Sequence, residues 1–461
     1  MQRSITRRRF LRVAAVAGAG LVVLKDAASA RAMAANDAVN VGLVGVAGRG
    51  GWFCDLLPRT KGIKLVALCD VNELKAKAAY EQFADLPKFP DFRVMLDKMR
   101  DKLDGVIVAT PDNTHAVVSA AAIRAGKAVY TEKPLTLNVY ESHVLRKLAR
   151  EQKVATQMGN QGTSSQAFRE ALGLIQAGAL GEVREAHVWI DGGGDGRPQV
   201  NKTDVPCPPT LHWDLWLGPA KHRPYHSVWM QWHGWREFGS GNMGNWGSHS
   251  ANLPFMALKC HTLWHADPAT KPRIRFRAEA SEVNEERYPR WWVNRWEFPA
   301  REGLPPAVIQ WVTQTAPAFA EIKQKMLDVG VTLNERNQPT YPGSHHTGCL
   351  ILGTKGALVA SSHNMTYKFL PANKDQPPPA APPVTRSVGH EHEWAAAIRG
   401  GPAAWSNYDY SGALNEMLML GNVSNQVLGQ DLEYDPLACK IVGNDKADGL
   451  LRREYRQGWT L

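Results

Sequence analysis

The chain has 461 residues, of which 44% are hydrophobic and 21% charged. At roughly 100 to 200 residues per domain, this length predicts two or three domains, and the composition excludes a collagen, a coiled coil or a disordered chain. The net charge is +10, but the first 34 residues hold seven Lys and Arg against one Asp, which leaves +4 for the rest. Because no basic run interleaved with aromatic residues follows, we do not expect a nucleic-acid partner.

The first 34 residues have the pattern of an export signal. Arg7, Arg8 and Arg9 precede Phe10, and a 12-residue apolar run from Val13 to Leu24 follows, ending before small-residue cleavage sites. The run is short for a membrane span, which needs about 20 residues, so a membrane anchor is the less favoured alternative. The pattern predicts a twin-arginine signal peptide, the export machinery as a partner, and a periplasmic or otherwise exported protein without stable membrane insertion.

A glycine-rich turn follows the first predicted strand, which runs from Val39 to Gly45. A strand, a tight turn and a helix start form the order that a dinucleotide phosphate site requires, because the helix N-terminus attracts phosphate. Ala47 stands where the usual motif has its second glycine, so the turn alone is a weak signal. The predicted contacts in this turn are Gly45, Ala47, Gly48, Arg49 and Gly50.

A second predicted strand, 64–69, ends at Asp70, 20 residues after Gly50. An acid at this place accepts hydrogen bonds from ribose hydroxyls and repels a 2′-phosphate, which favours NAD over NADP. On its own, Asp70 is better explained as a turn residue. Together with the glycine turn, it predicts a dinucleotide-binding domain over residues 38–160.

The remaining strands of this domain alternate with helices. We predict strands over 105–110, 128–131 and 154–158, a helix capped by Asn113 or Thr114 that stops at Gly126, and a helix over 137–152. Such alternation predicts a doubly wound parallel sheet, with the ligand beyond the carboxyl ends of the strands. Thr110, Glu132 and Lys133 all stand at that edge.

An ordered series of motifs resembles the glucose–fructose oxidoreductase, inositol dehydrogenase and rhizopine-catabolism (Gfo/Idh/MocA) family of NAD(P)-dependent sugar oxidoreductases. The series comprises the glycine turn with Asp70, Ala109–His115, Glu132-Lys133-Pro134, Trp213–Ala220, Glu282–Glu286, Gly353–Gly356 and Ser406–Tyr410. The resemblance implies a C-terminal α/β domain, residues 161–461, with a large open, mainly antiparallel sheet, and a homo-oligomer formed through that sheet. The expected coenzyme contacts on the second half of the first domain are Thr110, Pro111, Asn113, His115, Glu132 and Lys133.

The resemblance also places Lys133 in the active site, after a strand end and before a proline whose preceding peptide bond is typically cis. Hydride transfer from a carbinol requires a group that takes the hydroxyl proton and a cation near the developing alkoxide. His249 matches a family histidine, whereas Asn245 and Asn252 replace acids that many relatives have. An amide can orient His249 but cannot take a proton. Lys133 and His249 must therefore share the acid–base chemistry, or the reaction differs from the ordinary one of the family. The alternative for His249 is a buried core histidine.

Seven of the 16 Trp lie between residues 189 and 246, interspersed with histidines. Indole faces stack on sugars, so we expect a carbohydrate substrate to contact at least one of Trp232, His233 and Trp235, although large aromatic residues mostly fill cores. His222 and His226 have the helical spacing of metal ligands, but Pro224 argues against a helix there. We therefore predict no metal.

These residues predict an oxidoreductase that keeps NAD tightly bound and oxidises a ring carbinol of a sugar, sugar derivative or glycoside. One alternative is a redox-neutral glycosidase or lyase of the family 109 kind, which oxidises, eliminates and reduces. The Tyr-x-x-His signature of that kind is not present around His249. Another alternative is an inactive carbohydrate-binding homologue, because Asn245 and Asn252 replace acids.

Overall fold

The computed structural model describes residues 38–190, 205–335, 339–340, 347–373 and 379–461. The predicted signal peptide, residues 1–34, lies outside the described residues. So does the first part of the proline-rich stretch 376–383, whose remaining residues form neither helix nor strand.

The first sheet has six strands in the order β3-β2-β1-β4-β5-β6, and all its pairs are parallel. The strands at 39–44, 105–108 and 128–131 are mainly buried and apolar, as expected of a parallel sheet covered on both faces. The doubly wound fold is therefore confirmed. The strands are β1 Val39–Val44, β2 Ile63–Cys69, β3 Lys88–Phe89, β4 Gly105–Val108, β5 Ala128–Thr131 and β6 Thr156–Met158.

Helices connect these strands, and several begin at side-chain caps. Asn72 and Asn138 each accept a hydrogen bond from a backbone N–H three residues later, which satisfies a group that the first turn leaves free. The prediction that Asn113 or Thr114 caps the helix after β4 was wrong, because that helix already begins at Asp112 and both residues lie inside its first turn. The helices are α1 Arg49–Leu56, α2 Glu73–Gln82, α3 Phe92–Lys98, α4 Asp112–Arg124 and α5 Val139–Gln152.

The second sheet has nine strands in the order β15-β14-β13-β7-β10-β9-β8-β16-β17. All its neighbouring pairs are antiparallel except β7 with β10, which is parallel. The predicted large, mainly antiparallel sheet is confirmed. Its strands are β7 Val183–Ile190, β8 Ile274–Ala280, β9 Trp292–Phe298, β10 Ala307–Thr313, β13 Gly348–Gly353, β14 Gly356–Ser361, β15 Tyr367–Pro371, β16 Leu432–Asp435 and β17 Lys440–Val442, and a separate hairpin pairs β11 Thr332–Leu333 with β12 Pro339–Thr340.

The described residues of this half form eight helices. They are α6 Gln166–Gln176, α7 Trp213–Leu217, α8 Gly241–Ser250, α9 Asn252–Ala257, α10 Phe319–Asp328, α11 His390–Ile398, α12 Tyr408–Ser424 and α13 Asp445–Gly449. Short 3₁₀ turns occupy Leu57–Arg59, Gln161–Ser164, Ser227–Met230, Trp232–Gly234, Cys260–His265 and Pro268–Thr270.

Two of these helices return to the first domain. Trp394 of α11 is fully buried in the core beneath the first sheet, and its indole donates to the carbonyl oxygen of Ala155. Helix α12 packs along α5, where the buried Glu416 accepts a hydrogen bond from Arg146 at 2.9 Å. The two halves therefore share buried contacts well beyond the segment that connects them.

Candidate active site

The glycine turn closes tightly against the next strand end. Gly45 has a φ of 82°, and a Cβ there would stand 2.7 Å from the carbonyl oxygen of Ala109. A Cβ on Gly50 would stand 1.8 Å from the carbonyl oxygen of Gly45, so only glycine lets helix α1 start this close to β1. The turn thus brings the N-terminus of α1 close to the strand ends, which is the arrangement that holds a pyrophosphate.

Asp70 connects this turn to the end of β2. Its Oδ2 accepts a hydrogen bond from the Val46 N–H at 2.9 Å, and its Oδ1 accepts one from the Asn72 N–H at 2.8 Å. Burial raises the pKa of the carboxyl, although these backbone hydrogen bonds act in the opposite direction. Each carboxylate oxygen retains a lone pair for a ribose hydroxyl. Asp70 therefore has the position predicted for it and also braces the glycine turn.

A cavity of about 480 Å³ opens beyond the carboxyl ends of β1, β4 and β5, within the range of small-molecule and cofactor sites. Most of the predicted site residues line it. They are Gly45, Ala47, Gly48, Arg49, Asp70, Thr110, Pro111, His115, Glu132, Lys133, Trp232 and His233. These residues fit a dinucleotide, since a glycine turn, a ribose-binding acid and an apolar wall face one space.

Five predicted residues do not line the cavity: Gly50, Asn113, Trp235, Asn245 and His249. Gly50 acts through backbone packing, as described above. Asn113 is fully buried, and its side-chain amide donates to the carbonyl oxygen of Leu217 at 2.9 Å, so it holds α7 against the first domain. Trp235 is 2% exposed, and its indole donates to the carbonyl oxygen of Val228, so this side chain is part of a core and not of the cavity wall.

Glu132 and Arg49 form an ion pair at the cavity edge. Arg49 Nε donates to Glu132 Oε1 at 2.8 Å, and the same oxygen accepts a hydrogen bond from Gln161 at 3.3 Å. The guanidinium also stacks on Trp52, 3.8 Å from the ring centroid. Glu132 is 3% exposed, so this pairing satisfies a carboxylate that could not be buried alone.

Lys133 lies between the cavity and the second domain, and the peptide bond to Pro134 is cis. Its Nζ donates to Asn245 Oδ1 on α8. Burial lowers the pKa of the amine, whereas the carboxylates of Glu132 and Asp112 act to raise it. Asn245 and His249 lie four residues apart on α8, as the spacing predicted.

His249 is 4% exposed and packs against a residue that the sequence did not indicate, His363. The two ring centroids are 4.2 Å apart. Burial, followed by the charge of Lys133, lowers the pKa of His249 well below its ordinary value. Its Nδ1 has no hydrogen-bond partner among the residues that the structure describes. Neither ring is among the residues that line the cavity.

Asp112 is a second residue that the sequence analysis missed. It lies in the predicted motif after Pro111 and is 1% exposed, and its Oδ2 accepts hydrogen bonds from the N–H and hydroxyl of Ser240. Asp112 also lines the cavity. Its hydrogen bonds to Ser240, the residue before α8, fix the start of that helix relative to the first domain. An acid directly after a strand end was the available signal.

His115 joins the two motif loops. Its ring nitrogens lie 2.7 Å from the carbonyl oxygen of Pro134 and 2.9 Å from that of Thr110. As for metals, no group of three or more His, Cys, Asp or Glu within the described ranges could hold an ion. His226 instead accepts a hydrogen bond from the Val228 N–H.

The fold and the cavity define a two-domain dinucleotide-binding protein. Residues 39–160 match the family described as an oxidoreductase family with an NAD-binding Rossmann fold. This match confirms the resemblance and the coenzyme predicted from the motifs.

Two curated relatives match part of the chain. A glycosyl hydrolase family 109 protein from Shewanella baltica (strain OS185) is 28% identical over 207 residues, 39% of this chain and 44% of the relative. An alpha-N-acetylgalactosaminidase from Shewanella oneidensis is 27% identical over 208 residues, with the same coverage. The match thus spans less than half of the length of these relatives.

Solved structures share the complete architecture. The WlbA dehydrogenase from Bordetella pertussis, solved with NADH and UDP-GlcNAcA, has a TM-score of 0.56 and 16% identity, and the match covers 86% of this chain and 98% of that one. At this identity the likeness shows the fold, with both domains in it.

Proposed function

We propose that this protein is an NAD-dependent oxidoreductase that oxidises a ring carbinol of a sugar, sugar derivative or glycoside. The observation that carries the proposal is the place of Lys133, which lines the dinucleotide cavity and is hydrogen-bonded to Asn245 across the domain boundary. The family of the first domain and the names of the relatives support a carbohydrate substrate.

The coenzyme, when bound by the glycine turn and Asp70, supplies the two-electron acceptor. Lys133 supplies the proton chemistry at the carbinol oxygen. Because burial lowers its pKa, a larger share of the amine is neutral near pH 7 than in an exposed lysine, and the neutral amine accepts the hydroxyl proton. The resulting ammonium stabilises negative charge on that oxygen. Asn245 holds the amine in place without competing for the proton.

The second candidate is redox-neutral cleavage of a glycoside, which the two relatives' names support. That reaction needs an acid–base group for the C–H beside the new carbonyl and one for the leaving group, in addition to the group at the carbinol. The imidazoles of His249 and His363 are suited to these tasks, because burial keeps both neutral and one nitrogen of His249 has no described partner. In a Tyr-x-x-His signature the tyrosine lies three residues before the histidine, and Trp246 occupies that position relative to His249.

The test starts from the purified protein with its coenzyme content measured by absorbance and mass spectrometry. A panel of sugars and glycosides is added, and the reduced-nicotinamide absorbance and the released products are followed. An oxidised sugar supports the first candidate, and a cleaved glycoside with no net change in the coenzyme supports the second. If the coenzyme is bound and no substrate is oxidised or cleaved, the protein is a carbohydrate-binding homologue and both proposals fail.

We also propose export by the twin-arginine route and assembly through the second sheet. Arg7 and Arg8 support the first, and replacing both with lysine should retain the protein inside the cell. No helix among the described residues is long and apolar enough to cross a membrane.

The proposed assembly rests on the second sheet. On strand β8, Arg275 and Arg277 alternate with buried residues and present a charged face. Analytical ultracentrifugation at low and high salt tests the oligomer, and a monomer at all concentrations rejects it.

A further inference from the structure

The segment of residues 452–461 folds back onto the first domain. Arg93 donates to the carbonyl oxygen of Gly458 at 3.4 Å, and Arg124 donates to that of Leu461 at 2.8 Å. Trp459 packs beside Phe92, with ring centroids 6.1 Å apart, and the Arg93 guanidinium lies 4.7 Å from its ring centroid. A residue from the far end of the chain is thereby fixed on the edge of the first sheet.

The same segment is anchored to α7. Arg456 donates from Nε to the carbonyl oxygen of Gly218 at 2.6 Å and from Nη1 to Asp214 Oδ1 at 2.6 Å. The hydrogen bond from Arg456 lowers the pKa of Asp214. Leu215 and Trp216 of α7 line the dinucleotide cavity. Segment 452–461 therefore ties together two walls of the cavity, one from each domain.

Trp459 is 8% exposed and itself lines the cavity, together with Pro90 and Phe92. These two residues follow strand β3, whose end is hydrogen-bonded to Asp70 through the Phe89 carbonyl oxygen. The nucleotide whose ribose Asp70 is placed to bind therefore has its base directed toward this corner. Trp459 contributes aromatic surface to this corner, and aromatic side chains stack with purines.

We propose that Trp459 binds the adenine ring of the coenzyme and that segment 452–461 slows coenzyme release. This inference rests on the dinucleotide site described above and adds to it a residue outside the first domain. It gives the protein a means of retaining its coenzyme that does not depend on the glycine turn.

The test compares Trp459→Ala, Trp459→Phe and Gln457→Ala, the last being an exposed control in the same segment. Binding of AMP and of nicotinamide mononucleotide to coenzyme-free protein is measured by calorimetry, and NADH dissociation is measured by stopped-flow fluorescence. We expect Trp459→Ala to weaken AMP binding and speed NADH release about tenfold or more, the usual size of a lost base–aromatic stack. Trp459→Phe should recover most of the loss, and Gln457→Ala should match the unaltered protein.

The mononucleotide arm separates stacking from general damage. Nicotinamide mononucleotide lacks adenine, so its affinity should be unchanged in Trp459→Ala. Equal weakening of both fragments would assign Trp459 a structural role and overturn the inference, as would unchanged AMP binding. If the unaltered protein binds neither NAD nor AMP, the proposed function fails before this inference is reached.

Discussion

Restoring a carboxylate beside Lys133 is the sharpest test of the chemistry proposed here. Asn245→Asp is nearly isosteric and places a negative charge where the Lys133 amine now has an amide oxygen. The charge stabilises the ammonium form, so the pKa of Lys133 rises and the neutral amine appears only at higher pH. The rising limb of kcat/KM against pH should therefore move to higher pH, and activity near neutral pH should fall.

The size of this pH shift follows from the contact between Lys133 and residue 245. Two opposite unit charges about 4 Å apart attract by about 4 kcal/mol at an effective dielectric constant near 20. One pKa unit corresponds to about 1.4 kcal/mol, and desolvation of the new carboxylate reduces the gain. We expect the limb to move by between about one and about three pH units.

The measurement is an initial-rate pH profile with a sugar that reduces the bound coenzyme. Competitive labelling of Lys133, followed by peptide mass spectrometry, gives the same titration without turnover. Asn252→Asp is the matched control: this buried amide is bonded to Thr163 and Tyr410 and not to Lys133, so the profile should move far less. An unchanged profile in Asn245→Asp, or one that moves to lower pH, would refute the assignment of Lys133 as the titrating base.

Three further predictions concern affinity, stability and pH. Asp70→Ala should weaken NAD binding at least tenfold, because the turn loses a charged hydrogen-bond acceptor. It should also reduce the preference for NAD over NADP, because the site loses its repulsion of a 2′-phosphate. Titration calorimetry measures both affinities. Glu416→Gln should lower the free energy of unfolding in urea by about 3 kcal/mol, because it leaves the buried guanidinium of Arg146 without a charged partner. Burial lowers the pKa of His390 to about 3, whereas an unfolded histidine titrates near 6.5. The unfolded state therefore binds protons first, stability is lost as pH falls from about 6.5 toward 3, and His390→Gln should flatten that loss between pH 7 and 5.

The sequence was sufficient to predict elements whose ends are marked locally. Strand β5 occupies Ala128–Thr131 as predicted, because an apolar run lies between a glycine stop and a charged motif. The start of α4 was misplaced because Asp112 follows a proline and its carboxylate caps α8 and not its own helix.

The predicted site was incomplete because several of its walls come from distant parts of the chain. His363 is a single histidine in a turn after β14, and no spacing in the sequence relates it to His249. Trp459 reaches the cavity only because Arg456 and Arg93 hold its segment in place. Trp235, in contrast, lies in a tryptophan-rich stretch that suggested a sugar site, and packing places it in a core.

In the proposed reaction, Asn245 replaces an acid that many relatives have, and proton transfer depends on Lys133. Glu132 is occupied by Arg49, and Asp112 by Ser240, so neither carboxylate bonds the Lys133 amine directly. The only hydrogen-bond partner of that amine within the described part of the chain is an amide oxygen, which has no charge to stabilise an ammonium. A buried lysine in such surroundings changes its protonation state more readily than one in an ion pair. The substitution that seemed to remove a catalytic group therefore favours the neutral amine that the proposed reaction requires.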